Sequence, residues 1–419
     1  MTTLSDRPAT TLRAVRAQGR VRGGLALFGP AFVASVAYVD PGNFATNFLG
    51  GAEHGYELVW VIVVANLMAI LVQYLASKVG LATGQSLPEL CRVRFGRRAN
   101  VVLWVQAEIV AMATDLAEFV GAALGLHLIF GMPLFPAGLV TAVVVFAILA
   151  LEQRGYRRFE LAVAALLGLV AAGFVYLFFA VGHQRYGELA AGAVPHLGGG
   201  DVLRLAVGIV GATVMPHVVY LHSALQSNRV SAADPAERHT LLSYNRWDCI
   251  VALGLAGLVN LFMLCIAAAL FHPNGGTGLG DLGAIHARLG TLVGGGAALA
   301  FGIALLASGF SSSSVGTHAG QVVMAGFLNR RFPLLLRRAL TMLPALVVLA
   351  AAVNTSQALV YSQVVLSFFI PFALVPLLLI TRDRRVMRDM VNRRTTTALA
   401  LLVSVVITGL NVYLLAAAF

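Results

Sequence analysis

Charge is scarce in this chain. Only 11% of its 419 residues are Asp, Glu, Lys or Arg, against 59% hydrophobic, whereas soluble globular domains carry about 25% charged residues. Such a composition calls for a membrane as solvent. Cysteine is scarce too: Cys91, Cys249 and Cys265 are an odd set with no close pair, so neither a disulfide framework nor a thiolate metal cluster organises the fold. There is no HExxH run, no comparable two-histidine motif and no Walker-type phosphate loop. The sequence therefore points to no enzyme, no ATP hydrolysis by this chain and no resident cofactor. The polar residues before position 25, among them Arg7, Arg13, Arg16 and Arg20, contain no short apolar core followed by a small-residue cleavage site, and no removable signal peptide is expected.

What the chain does have is long apolar runs. A transmembrane helix needs about 20 mostly apolar residues, and eleven such stretches occur, at 25–49, 56–80, 99–127, 133–151, 159–181, 202–226, 244–271, 291–325, 336–353, 357–380 and 396–418. No run alternates with period two for long enough to suggest a barrel. The expectation is an all-α membrane protein: a cytoplasmic tail at 1–24 and a single transmembrane domain at 25–419. The net charge of +11 does not imply nucleic acid, because of where the charges lie. Of the 29 Lys and Arg, 26 fall in or beside alternate connections, and the opposite connections hold only Arg185, Arg204 and Arg288. By the positive-inside rule the N-terminus is cytoplasmic and the C-terminus external. Basic clusters such as Arg382, Arg384, Arg385 and Arg388 then read as topology signals with some attraction to anionic lipid; Arg337 and Arg338 are candidates for a cytoplasmic gate, but the positive-inside bias already explains them. No obligate protein partner is evident.

Two of the spans are interrupted. In the first, Asp40, Pro41, Gly42 and Asn43 sit where an unbroken helix would be midway through the bilayer. Pro41 has no N–H to offer the carbonyl of Ala37, and Gly42 lets the chain unwind further. The sixth span repeats the device with Met215, Pro216 and His217, freeing the carbonyl of Ala212. Irregular backbone at this depth is tolerated only inside protein or beside a watery cavity. Two broken helices five apart point to an inverted-repeat transporter with its site at the midplane, the repeats running about 25–181 and 202–380 with helix 396–418 outside the symmetry. Together the breaks offer the Asp40 carboxylate, the Asn43 amide, two freed carbonyls and the Met215 thioether. Calcium and magnesium prefer oxygen alone, whereas a thioether favours softer transition-metal ions.

The third span carries Glu108, Asp115 and Glu118 in an otherwise apolar stretch. Spacings of seven and three put them on one face, and carboxylates at membrane depth mark ion paths or proton relays or else pair with a neighbouring Arg or Ser. His217 and His222 lie five residues, about 140°, apart on a regular helix, so they face different walls. Asn260 is placed to line the pathway. Ser311 to Ser314, with Gly309 and Gly316, read as a small-residue packing seam or a kink. His54, His183, His196, His272 and His286 fall in external connections, as weak metal capture points or merely solvated groups.

The Asp-Pro-Gly-Asn run at 40–43 with the Met-Pro-His run at 215–217, joined by ATDLAEF at 113–119 and FALVPLL at 372–378, resembles the Nramp family of metal transporters over nearly the whole chain. The resemblance implies a LeuT-like 5+5 inverted repeat plus one extra helix, in a bacterial inner membrane. It implies metal ligation by Asp40, Asn43, Met215 and the carbonyls of Ala37 and Ala212, with Gln363 joining in one conformation. It also implies a proton route through Asp115, Glu118 and His222; Asp40, whose bound proton an arriving dication would release, and Glu108 are further candidates from their own chemistry. The expected function is proton-coupled import of divalent transition-metal ions, Mn2+ or Fe2+ and also Cd2+, by alternating access. A sodium-coupled carrier of small organic solutes with the same architecture is the alternative; the sulfur and carboxylate at the breaks argue against it.

Overall fold

A computed structural model describes residues 10–17, 19, 27–153, 156–182, 184–196, 200–227, 229–274, 281–330, 333–351 and 353–418. His183 lies outside these residues. The described chain runs α1 (Leu12–Arg16), α2 (Pro30–Ala37), α3 (Pro41–His54), α4 (Val59–Thr83), α5 (Leu87–Arg94), α6 (Arg97–Phe130), α7 (Leu134–Gln153), α8 (Tyr156–Val181) and α9 (Tyr186–Gly192). It continues through α10 (Gly200–Thr213), α11 (Pro216–Gln226), α12 (Pro235–Leu270), α13 (Leu282–Leu292), α14 (Gly295–Leu328), α15 (Leu334–Ala350), α16 (Thr355–Thr381), α17 (Arg384–Met387) and α18 (Arg394–Ala418). The strands described are two residues each, Thr10–Thr11 paired in parallel with Val230–Ser231.

Among the described residues, eight stretches of helix are long and apolar enough to cross a membrane by length and composition. With α7, α15 and the split pair α2–α3, the arrangement is consistent with eleven spans, of which the first is α2–α3 and the sixth α10–α11. Large apolar side chains such as Val143, Phe179 and Leu401 stand exposed on the outside of the bundle, where lipid rather than water suits them. The seventh span begins earlier than its apolar run: α12 starts at Pro235 instead of 244, because Asp234 caps it by accepting the Glu237 N–H at 2.8 Å and Pro235 fills the first position.

Close helix contact rests on glycine. The eighth span α14 lies along the third, α6, so tightly that a methyl group on Gly309 would sit 2.7 Å from the Ala122 Cβ, and one on Gly125 would sit 2.9 Å from Leu306. The serine run continues this seam: Ser311 and Ser314 return their hydroxyls to carbonyls of their own helix at 2.8 Å, and Ser313 is the member that leaves it. The start of α2 is held by Asp248 of α12, which accepts the N–H groups of Gly29 at 3.2 Å and Ala31 at 3.0 Å.

Candidate functional site

The first span breaks where the proline requires it. After Ala37, the N–H groups of Tyr38 and Val39 reach back three residues, to Ser35 O (3.0 Å) and Val36 O (3.2 Å). Asp40 is then extended (φ −87°, ψ 169°), and Pro41 opens α3 in the first position, where no N–H is needed. The carbonyls of the unwound stretch find side chains: Tyr38 O accepts Asn260 Nδ2 at 2.9 Å, and Val39 O accepts the Ser308 hydroxyl at 2.6 Å. Asn260 also takes Asn47 Nδ2 on its Oδ1 at 2.9 Å. It braces the break from the seventh span, and Ser308 does so from the eighth, a role that its sequence context, a small residue in a helix of small residues, gave no means of seeing.

The sixth span breaks between Thr213 and Pro216, with Met215 extended (φ −70°, ψ 119°), fully buried, and at the cap of α11 without capping it. The two breaks touch. Asn43 Nδ2 donates to Asp40 Oδ1 at 2.8 Å and to Ala212 O at 3.1 Å. Gln363 of the tenth span closes the third side: a methyl on Gly42 would lie 1.9 Å from its amide nitrogen, and one on Gly211 would lie 2.0 Å from its main-chain carbonyl. The third span meets the site at Gly121, where a methyl would lie 2.0 Å from the Pro41 Cβ.

Asp40 Oδ2, Asn43 Oδ1 and Gln363 Oε1 are left without hydrogen bonds on side chains that are 0% exposed. Buried polar atoms are nearly always paired, and three acceptors unpaired together suit a cation. Among the described residues no three His, Cys, Asp or Glu side chains gather as a metal cluster. A metal ion here would rest on one carboxylate, neutral oxygens and the Met215 sulfur. For Asn43 to serve beside Asp40 and Ala212, its amide has to turn so that Oδ1 replaces Nδ2. Ala37, the remaining expected donor, is the last residue of α2 and is buried.

The acids of the third span descend α6 from that level. Counted from Gly121 at a rise of about 1.5 Å per residue, Glu118 lies about 4.5 Å, Asp115 about 9 Å and Glu108 about 20 Å along the helix. Glu118 is fully buried with neither oxygen hydrogen-bonded. Asp115 pairs with Arg338, which also reaches Ser313, and Glu108 pairs with Arg337 at 3.0 Å. The two arginines, Arg338 1% and Arg337 7% exposed, are therefore more than topology signals; they neutralise two of the three acids. His217 Nδ1 meets Thr114 Oγ1 of the third span at 3.2 Å. His222 Nδ1 meets Gln73 Oε1 of the second span at 3.0 Å, and Gln73 Nε2 donates to Tyr38 OH at 2.6 Å. The two histidines thus address different walls, and the Tyr38–Gln73–His222 chain ties α2 to α4 and α11. Gln73 and Tyr38 were not foreseen, since nothing local separates them from packing residues.

Residues 31–417 match the sequence profile of the Natural resistance-associated macrophage protein-like (Nramp) family. The chain is 49% identical over 413 residues to the divalent metal cation transporter MntH of Deinococcus radiodurans, covering 98% of this chain and 94% of that one. A crystal structure of a histidine mutant of the Eremococcus coleocola manganese transporter superposes with a TM-score of 0.86 at 31% identity, over 99% of this chain and 90% of that one. MhsT in complex with L-phenylalanine, at 13% identity and a TM-score of 0.62 over 93% of this chain and 98% of that one, shares the LeuT-like fold alone. The chain belongs to the natural resistance-associated macrophage protein family.

Proposed function

We propose that this protein is a secondary transporter, not an enzyme, that imports divalent transition-metal ions, Mn2+ or Fe2+ and also Cd2+, across a bacterial inner membrane by alternating access coupled to protons. The observation that carries the reading is the meeting of the two broken helices at Asn43 and the Ala212 carbonyl, with Asp40, Asn43 and Gln363 each keeping a buried, unpaired oxygen. The names of its relatives point the same way. Asp40, Asn43, Met215 and the carbonyls of Ala37 and Ala212 hold the ion, with Gln363 entering from the tenth span in one conformation. The domain at 25–419 works as repeats 25–181 and 202–380, with helix 396–418 outside them, the N-terminus cytoplasmic and the C-terminus external.

In this reading Asp40 takes up a proton and releases it when a dication arrives, because a neighbouring positive charge favours the carboxylate. Glu118, with no ion pair to break, receives it first, and Asp115 and Glu108 pass it inward on a path separate from the ion. Each step there trades against an arginine contact. His217 stands between the ion site and α6, and His222 holds the inner side. A sodium-coupled carrier of organic solutes shares the fold, but a sulfur donor has no use in it.

Uptake of Mn2+, Cd2+, Mg2+ and Ca2+ into proteoliposomes that contain a pH dye tests all of this at once. Expected are accumulation of Mn2+ and Cd2+ with internal acidification and little entry of Mg2+ or Ca2+. Metal entry with no acidification would remove proton coupling, and no metal entry would remove the function.

A further inference from the structure

A second group of histidine and glutamate side chains lies at the far end of α3, outside the site just described. Glu53 and His54 end that helix, Glu57 follows in the connection to α4, Glu188 sits on α9, His196 follows it, and His272 follows α12. All line one cavity of about 530 Å3. From Asn43 to Glu53 is ten residues of a single helix, about 15 Å, and on the positive-inside reading all three connections are external.

The cavity has a fixed frame. Gly55 adopts φ +59°, and a methyl on it would lie 3.0 Å from the His272 ring; a methyl on Gly192 would lie 2.0 Å from the Tyr56 carbonyl oxygen. Tyr56 OH donates to Gln184 Oε1 at 3.0 Å and accepts the Arg185 N–H at 3.3 Å. Within this frame the imidazoles and carboxylates stand apart. His54 Nε2 is 3.9 Å from Glu53 Oε2, His54 Nδ1 is 4.0 Å from Glu57 Oε2, and His196 Nε2 is 3.8 Å from Glu57 Oε1. Those gaps are too long for hydrogen bonds, and His54 Nε2 is buried without one. They lie within the span of two bonds of about 2.1 Å made to one ion. Glu188 is shared with Arg185 at 3.0 Å. No three such groups converge among the described residues, so an ion here takes two protein ligands and keeps the rest of its shell as water.

We propose that this rim is a second, weaker dication site, in which Glu57 with His54 or His196 captures partly hydrated transition-metal ions before they enter the Asp40 site. The inference rests on the transport reading for its direction. Imidazole nitrogen favours transition metals over Ca2+ and Mg2+, and two-ligand capture releases quickly. The carboxylates raise the local concentration of cations, an effect that salt screens.

The test uses the full-length purified protein and Mn2+ and Cd2+ as probes. In the wild type, calorimetric titration should show a tight site and a weaker one. Asp40→Asn should lose the tight site and keep the weaker, and adding His54→Ala and Glu57→Gln should remove the weaker as well. Separately, His54→Ala with Glu57→Gln in an otherwise intact chain should raise the KM for Mn2+ uptake about threefold to tenfold at low ionic strength, leave the maximal rate in place, and lose most of that difference in high salt. Tight binding in the wild type with none in Asp40→Asn, or an unchanged KM in the rim variant, overturns the outer site and leaves the Asp40 site standing. No binding in any variant overturns both.

Discussion

The two polar regions buried in this bundle treat their charges in opposite ways. At the meeting of the broken helices, Asp40, Asn43 and Gln363 each keep an oxygen without a partner. Between the third and ninth spans, Asp115 and Glu108 are matched by Arg338 and Arg337. A buried charge that is paired is compensated within the protein itself, whereas unpaired acceptors at the same depth carry a desolvation cost that only a guest can offset. Glu118 stands between them, on the paired helix but without a pair.

The sharpest way to break this contrast is to remove the charge at the junction. Asp40→Asn should lower Mn2+ uptake by at least about 100-fold with little loss of thermal stability, since the asparagine still caps α3; a variant that keeps transporting would deny that the unpaired oxygen is the binding element. Removing a charge from the matched region should do the reverse. Arg338→Met strands Asp115 and should cost about 3–5 kcal/mol of stability, seen as early unfolding in detergent, and Asp115→Asn in the same chain should return much of it. If the double variant is no better than the single, the pair is not what Arg338 supplies. Asp115→Asn alone should abolish proton movement while Mn2+ binding, read by calorimetry, stays within a few-fold; unchanged acidification would confine Asp115 to a structural part. The smallest expected effect is at Met215→Ala, with Mn2+ uptake reduced by less than about tenfold, roughly 1.4 kcal/mol. Its mark is a gain in Ca2+ entry measured in the same vesicles, and continued exclusion of Ca2+ would take sulfur out of the selectivity.

Much of the junction was legible because its cause is local. A proline cannot donate an N–H wherever it stands, so Pro41 and Pro216 announce their breaks to anyone reading the chain, and the neighbouring donors are adjacent in sequence. The matched region was legible only by half. Glu108, Asp115 and Glu118 stand out as acids in an apolar run, but Arg337 and Arg338, more than 200 positions away, already had a sufficient explanation in the positive-inside bias. Long-range pairing leaves no local trace. Nor did Gln73, Tyr38 or Ser308 give one, since each is an ordinary polar residue until its partner is known. The early start of α12 is a different kind of miss: Asp234, Pro235 and Glu237 form a helix-start signal that a search for apolar runs passes over.

Gln363 has a mechanical consequence beyond its oxygen. Its side chain bears on Gly42 of one broken span and its main chain on Gly211 of the other, so a single residue acts as a cam riding on two followers. Through that residue the tenth helix is packed against both broken spans at once. Added bulk at either glycine should therefore push that helix off both spans together, and Gly42→Ala or Gly211→Ala should lower Mn2+ uptake even though neither residue offers a side-chain ligand.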